Sequence, residues 1–128
     1  MKIERIYMNT LIVDDSKAIF AMVSQMLKEE GHSSLWAEDG GKAVEILAQN
    51  SNIDIILLDW NMPNMNGLEF LEKNFKESFT KAPIIMMTTE NSAEKIKKAL
   101  SLNASEYIMK PFTKDILMNK ISLIELMF

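Results

Sequence analysis

Ile53-Asp54-Ile55-Ile56-Leu57-Leu58-Asp59-Trp60-Asn61-Met62-Pro63-Asn64-Met65-Asn66-Gly67 is the stretch that decides the fold. Residues 53–58 form an apolar, β-branched run of strand length. A run apolar on both faces of the pleat belongs to a strand covered on both sides, as in a parallel sheet. The run stops at an acid, and Pro63, Asn64 and Gly67 then mark a turn. After Asn66-Gly67 apolar residues return at helical spacing, as Leu68, Leu71 and Phe75.

The same strand-then-helix unit recurs on either side. Thr10–Val13 precedes a helix carrying Ile19, Met22, Val23, Met26 and Leu27, which ends at Glu29-Glu30-Gly31. Glycine there is a natural C-terminal cap. Ser34–Ala37 is a weaker strand of edge character, followed by a helix with Ala43, Val44 and Leu47. Pro83–Met87 leads into a helix with Ala93, Ile96, Ala99 and Leu100, for which Asn91-Ser92 is the capping candidate. Glu106–Met109 leads into a last helix from Thr113 with Leu117, Ile121 and Ile124. Five such units predict an α/β fold: a parallel sheet with helices on both faces, because each parallel crossover needs a helix-sized connection.

Composition narrows the function. The 128 residues fit one domain, 48% hydrophobic and 25% charged, with no internal repeat or linker. There is no cysteine, which excludes disulfides, thiolate zinc sites and cysteine nucleophiles. The net charge of −4 gives no basic footprint for nucleic acid. No apolar run approaches the ~20 residues of a membrane helix, and residues 1–5 lack the apolar core of a signal peptide. A cytoplasmic protein is expected. The single histidine, His32, reads as a solvated loop residue.

The chemistry lies at the strand ends. The first strand runs into Asp14-Asp15, the third into Asp59, the fourth into Thr88-Thr89 and the fifth into Lys110-Pro111. In an open α/β sheet, ligands bind at the carboxyl edge. Singly, each residue has a structural reading: Asp59 as a turn starter, Asp14-Asp15-Ser16 as a helix cap, Thr88 and Lys110 as structural residues. Four such residues at one edge are a different matter. Two carboxylates about 4 Å apart repel by about 4 kcal/mol at an effective dielectric of 20. A divalent cation and Lys110 would offset that, and an all-oxygen ligand set selects Mg²⁺ or Mn²⁺. A carboxylate beside such a cation, a hydroxyl and an ammonium is an arrangement for phosphoryl transfer to an aspartate nucleophile.

Leu11–Ser16, Ile56–Gly67, Pro83–Thr88 and Tyr107–Phe112 together resemble the receiver domain of two-component response regulators, over roughly residues 8 to 127. The resemblance implies one receiver domain over 1–128 with a flavodoxin-like (βα)5 fold and strand order 2-1-3-4-5. It implies that Asp59 accepts a phosphoryl group from a histidine kinase. Asp15 would bind Mg²⁺ directly, Asp14 through water, and Asn61 through its backbone carbonyl, with Asp59 completing the metal site. Thr88 and Lys110 would contact the phosphoryl group, and the Lys110–Pro111 bond would be cis. Thr88 and Tyr107 would form the switch, although Tyr107 also reads simply as a strand aromatic covering the sheet edge. Trp60, Asn61, Glu90 and Tyr107 are most similar to the chemotaxis response regulators, where residues at Asn61 and Glu90 tune hydrolysis of the acyl phosphate. Rapid self-dephosphorylation or a phosphatase partner is expected.

Two features depart from the family pattern. Asn103-Ala104 stands where Gly-Ala is usual, and Asn is the best non-glycine for a left-handed cap. The last helix carries a second apolar stripe, Ile116, Leu123 and Met127 around Lys120, which is either a partner or homodimer surface or local packing. The eleven methionines read as core filler or as adaptable binding surface. No output domain is expected after the last helix. Signalling is therefore expected through a downstream target on the face of the fourth helix, fifth strand and fifth helix. A phosphorelay intermediate and a scaffold that never takes phosphate are the alternatives in the same family. An aspartate-nucleophile phosphatase would need a second acid two residues after the nucleophile, where Asn61 stands.

Overall fold

The computed structural model describes residues 7–89 and 92–126. Five parallel strands, β1 (Asn9–Val13), β2 (Ser33–Ala37), β3 (Ile55–Asp59), β4 (Ile84–Thr88) and β5 (Glu106–Met109), alternate with five helices. These are α1 (Lys17–Glu29), α2 (Gly40–Gln49), α3 (Gly67–Glu77), α4 (Ala93–Ser101) and α5 (Lys114–Glu125). The sheet order is β2-β1-β3-β4-β5, so β1 and β3 are the strands at which the winding reverses. The expected strand order holds, and β2 is an edge strand.

The two faces of β1, β3 and β4 feed separate cores. Leu11, Val13, Ile56, Leu58, Ile84 and Met86 pack with Ala43 and Leu47 of α2, Phe70 and Leu71 of α3, and Ala99 of α4. Ile12, Ile55, Leu57, Ile85 and Met87 pack on the other face with Val23 and Leu27 of α1 and Leu117, Ile121 and Ile124 of α5. All five residues of β3 and of β4 are buried, which explains their unbroken apolar runs.

Caps set where most helices begin. Ser16 accepts from the Ile19 N–H, Asp39 from Lys42, and Thr113 from Ile116. Asn66 and Glu69 form a reciprocal capping box on α3. Ser92 stands at the N-cap of α4, as expected, but makes no side-chain capping bond; Asn91 lies outside the described residues. Asn103 is left-handed, with φ 71°, as expected at the end of α4.

Several faces are corrected. Phe75 is exposed, and the buried stripe of α3 runs through Gly67, Phe70 and Leu71, because Gly67 seats the first turn against the sheet. On α4 only Ala99 is buried; Ala93 and Leu100 face outward. Met22 of α1 is exposed as well. His32 is buried rather than solvated: Gly31, at φ 87°, turns the chain inward, and His32 Nδ1 accepts the Met8 N–H at 3.0 Å. Its role remains structural. Ile116 and Leu123 of the second stripe on α5 are exposed; Met127 lies outside the described residues. Among the described residues no helix is long and apolar enough to cross a membrane.

Candidate functional site

The reversal of strand order at β1 and β3 opens the crevice in which their ends deliver Asp14, Asp15 and Asp59. One carboxylate oxygen from each lies within 4.8 Å of the others. Asp14 and Asp59 are buried, and Asp15 is exposed at the mouth. Lys110, just beyond β5, reaches across β4 to both buried acids. Its Nζ stands 2.7 Å from Asp14 Oδ2 and 3.1 Å from Asp59 Oδ1. The Lys110–Pro111 bond is cis.

Each group is held by backbone as well as by its neighbours. Asp59 Oδ1 also accepts the Trp60 N–H at 2.9 Å. Asp14 Oδ1 accepts the Ser16 N–H at 2.8 Å. Thr88 is buried at the end of β4, and its carbonyl accepts the Lys110 N–H at 2.9 Å. Asn61 is exposed in the loop after β3. Glu90 lies outside the described residues.

Burial, and then the charge of Asp14, push the Asp59 carboxyl above the ordinary carboxylate range, against the pull of Lys110 and the Trp60 N–H. Burial pulls Lys110 down, but its hydrogen bond to Asp14 and the charges of both acids carry it above the ordinary lysine value. The pocket thus holds an excess of negative charge around a single fixed ammonium. The donors are all hard oxygens, one of them at an open mouth, which fits an octahedral divalent cation that keeps several waters.

Three contributors escaped the sequence reading. Asn64, at φ 65°, donates to Asp39 Oδ2 at 3.0 Å, while the Gly40 N–H donates to the Met65 carbonyl at 3.0 Å. These bonds staple the loop carrying Asn61 to the start of α2. Gly67 is the second: a Cβ there would overlap the Asp59 carbonyl oxygen and come within 3.0 Å of Trp60 Cα. Its signal was visible as a glycine opening a helix, but the closeness to Asp59 was not. Trp36 is the third: its indole Nε1–H donates to the Asp14 carbonyl at 2.7 Å.

Tyr107 is half-buried on the edge strand and lies on the same face as Thr88 and Met86. Trp60, Met86, Thr88, Ile96, Ala99 and Tyr107 line a small apolar pocket beneath α4. The Lys120 ammonium lies 5.6 Å from the Tyr107 ring centre and 3.1 Å from Glu106 Oε1.

A doubly wound sheet with an acidic crevice at its reversal point, spanned by a lysine, defines the response-regulator receiver class. The chain matches the response regulator receiver domain model over residues 10–122 and belongs to that family. Among its relatives are a chemotaxis protein CheY homolog of Campylobacter jejuni, 38% identical over 89% of each chain, and the chemotaxis protein CheY1 of Helicobacter pylori, 38% identical over 91% of this chain and 96% of the other. Among solved structures, CheY4 of Vibrio cholerae superposes with a TM-score of 0.82 at 33% identity, covering 91% of this chain and 98% of that one. A complex of CheX, CheY, beryllofluoride and magnesium from Borrelia burgdorferi gives 0.86 at 31% identity, covering 91% and 88%. The chain is therefore a CheY-like receiver domain, a class of signalling switches.

Proposed function

We propose that this chain is a phosphorylation-activated switch in which Asp59 accepts a phosphoryl group from a histidine kinase, with Mg²⁺ held by Asp14, Asp15, Asp59 and the Asn61 carbonyl. The observation that carries this reading is the meeting of three carboxylates from two strand ends with Lys110 across them. Oδ1 of Asp59 is already occupied by Lys110 and the Trp60 N–H, so Oδ2 is assigned as the nucleophile. It attacks phosphorus, the P–N bond to the donor imidazole breaks, and the imidazole nitrogen leaves with the electron pair and takes up a proton. The bound cation would supply charge neutralisation to the transferred oxygens. Lys110 stabilises the same developing charge, and the Thr88 hydroxyl donates to the phosphoryl group.

Thr88 also links the site to the surface. Drawn toward the phosphoryl group, its hydroxyl vacates space beside the apolar pocket, and the Tyr107 ring turns into it. The changed surface of α4, β5 and α5 is then what a downstream target reads. Asn61 and Glu90 are assigned to tuning hydrolysis of the acyl phosphate, alone or with a phosphatase. Chemotaxis is the proposed pathway, on the strength of the curated relatives. A phosphorelay step uses the same chemistry and differs only in passing the group on. The amide of Asn61 cannot protonate a leaving group, which weighs against a phosphatase.

Beryllofluoride with Mg²⁺ tests this reading. Addition of both should change the tryptophan emission, since Trp60 abuts Asp59 and lines the pocket with Thr88 and Tyr107. A response that persists in Asp59→Asn, or no response in the wild type, would count against the switch.

A further inference from the structure

We propose that Trp36, on the edge strand β2, is a positioning residue for the metal-binding turn after β1. The inference rests on the receiver reading above and concerns how this chain holds its acids.

Asp14 lies one residue past the last ladder pair, Val13 with Ala37. Its N–H still donates to the Ala37 carbonyl at 3.0 Å. Its own carbonyl accepts the Trp36 indole Nε1–H at 2.7 Å. A side chain thus extends the β1–β2 pairing by one bond at the point where the backbone turns away. The indole is in turn fixed by α1, the helix that the same turn begins. Phe20 stacks on Trp36 with ring centres 5.4 Å apart and planes 17° apart.

Asp14 is therefore constrained on every polar atom. Its backbone is tied to Ala37 and Trp36, Oδ1 to the Ser16 N–H and Oδ2 to Lys110. Asp15 follows on the same turn, and among the described residues its exposed carboxylate has no such side-chain anchor. What aims Asp15 is the fixed backbone before it. Bringing its charge toward Asp14 and Asp59 is unfavourable until a cation arrives. A donor that pins the turn keeps the three oxygens in place beforehand and lowers the cost of assembling them on binding. The bond is part-buried, which strengthens it.

The test is a Mg²⁺ titration of the full chain, read by tryptophan emission in wild type and Phe20→Ala and by Trp60 alone in Trp36→Phe. Trp36→Phe keeps a ring for the stack and removes the N–H. The expected result is an increase in the Mg²⁺ dissociation constant of about three- to tenfold, the scale of one hydrogen bond. Phe20→Ala should weaken binding less, since the indole N–H stays. In Trp60→Phe, where Trp36 is the reporter, Mg²⁺ should shift the Trp36 emission and its indole N–H resonance. If Trp36→Phe binds Mg²⁺ as tightly as the wild type while melting earlier, Trp36 only fills space and the proposal is overturned. If Trp36→Phe does not fold, the Trp36 signals in Trp60→Phe decide, and their indifference to Mg²⁺ overturns it. A wild type that binds no Mg²⁺ defeats both this proposal and the receiver mechanism; normal wild-type binding with an indifferent Trp36 defeats this one alone.

Discussion

Asp59 is held in a condition that costs the resting fold. Burial and the neighbouring Asp14 charge raise its proton affinity in the folded state above that of the unfolded chain. A carboxylate of this kind lowers stability as pH climbs from the unfolded value through the folded one, and does nothing below both. Asp59→Asn should therefore raise the thermal midpoint of the Mg²⁺-free protein at neutral pH. About 1 kcal/mol corresponds to roughly 4 °C in a domain of this size. The gain should vanish in acid, and melting curves across pH check both parts. Asp39 has the opposite sign. The Asn64 amide, then the Lys42 N–H, hold its carboxyl below the ordinary range, so its contribution is present above the unfolded value and is lost as pH falls through the folded one. Asp39→Ala should cost about 1 kcal/mol at neutral pH, the usual worth of an N-cap, and the difference should shrink as acid protonates Asp39. Chemical denaturation at several pH values would show it.

At the scale of elements, the β3–α3 connection carries most of the precision. Gly67 lets α3 start directly against the backbone of Asp59, and its N–H donates to the Trp60 carbonyl at 2.9 Å. Gly67→Ala must push α3 away from backbone that cannot yield. A loss of about 1–3 kcal/mol is expected, together with slower phosphorylation of Asp59. A variant of wild-type stability and rate would contradict the packing described. The elements themselves were legible because period and punctuation agree: unbroken apolar runs for β3 and β4, Gly31 and Asn103 as stops, Ser16 and Thr113 as starts. Faces were less legible on α3 and α4. Phe70 and Phe75 are both aromatic on one short helix, and only the seating of Gly67 tells which points inward. The acids and Lys110 were legible because strand ends in a parallel sheet share an edge. Trp36, Asn64 and Asp39 were not, since their contacts join segments remote in sequence and depend on side-chain reach.

For the whole molecule, the two cores lie on opposite faces of the sheet, while the charged pocket sits at one edge and α4 buries a single residue beside it. Stability and responsiveness are thereby separated: the centre resists change, and the edge with α4 can shift at little cost. Ligation should then stabilise the whole domain by mass action. At a hundred times its dissociation constant, Mg²⁺ should add about 2.7 kcal/mol, and Asp15→Ala should abolish most of that gain while leaving the Mg²⁺-free protein nearly unchanged. Calorimetric scans with and without Mg²⁺ check this. The most direct measurement is intact-protein and peptide mass spectrometry after exposure to acetyl phosphate and Mg²⁺. One added phosphoryl group is expected, mapped to Asp59, lost in Asp59→Asn and on chelation of Mg²⁺. No adduct, or an adduct that stays when Asp59 is replaced, would contradict it.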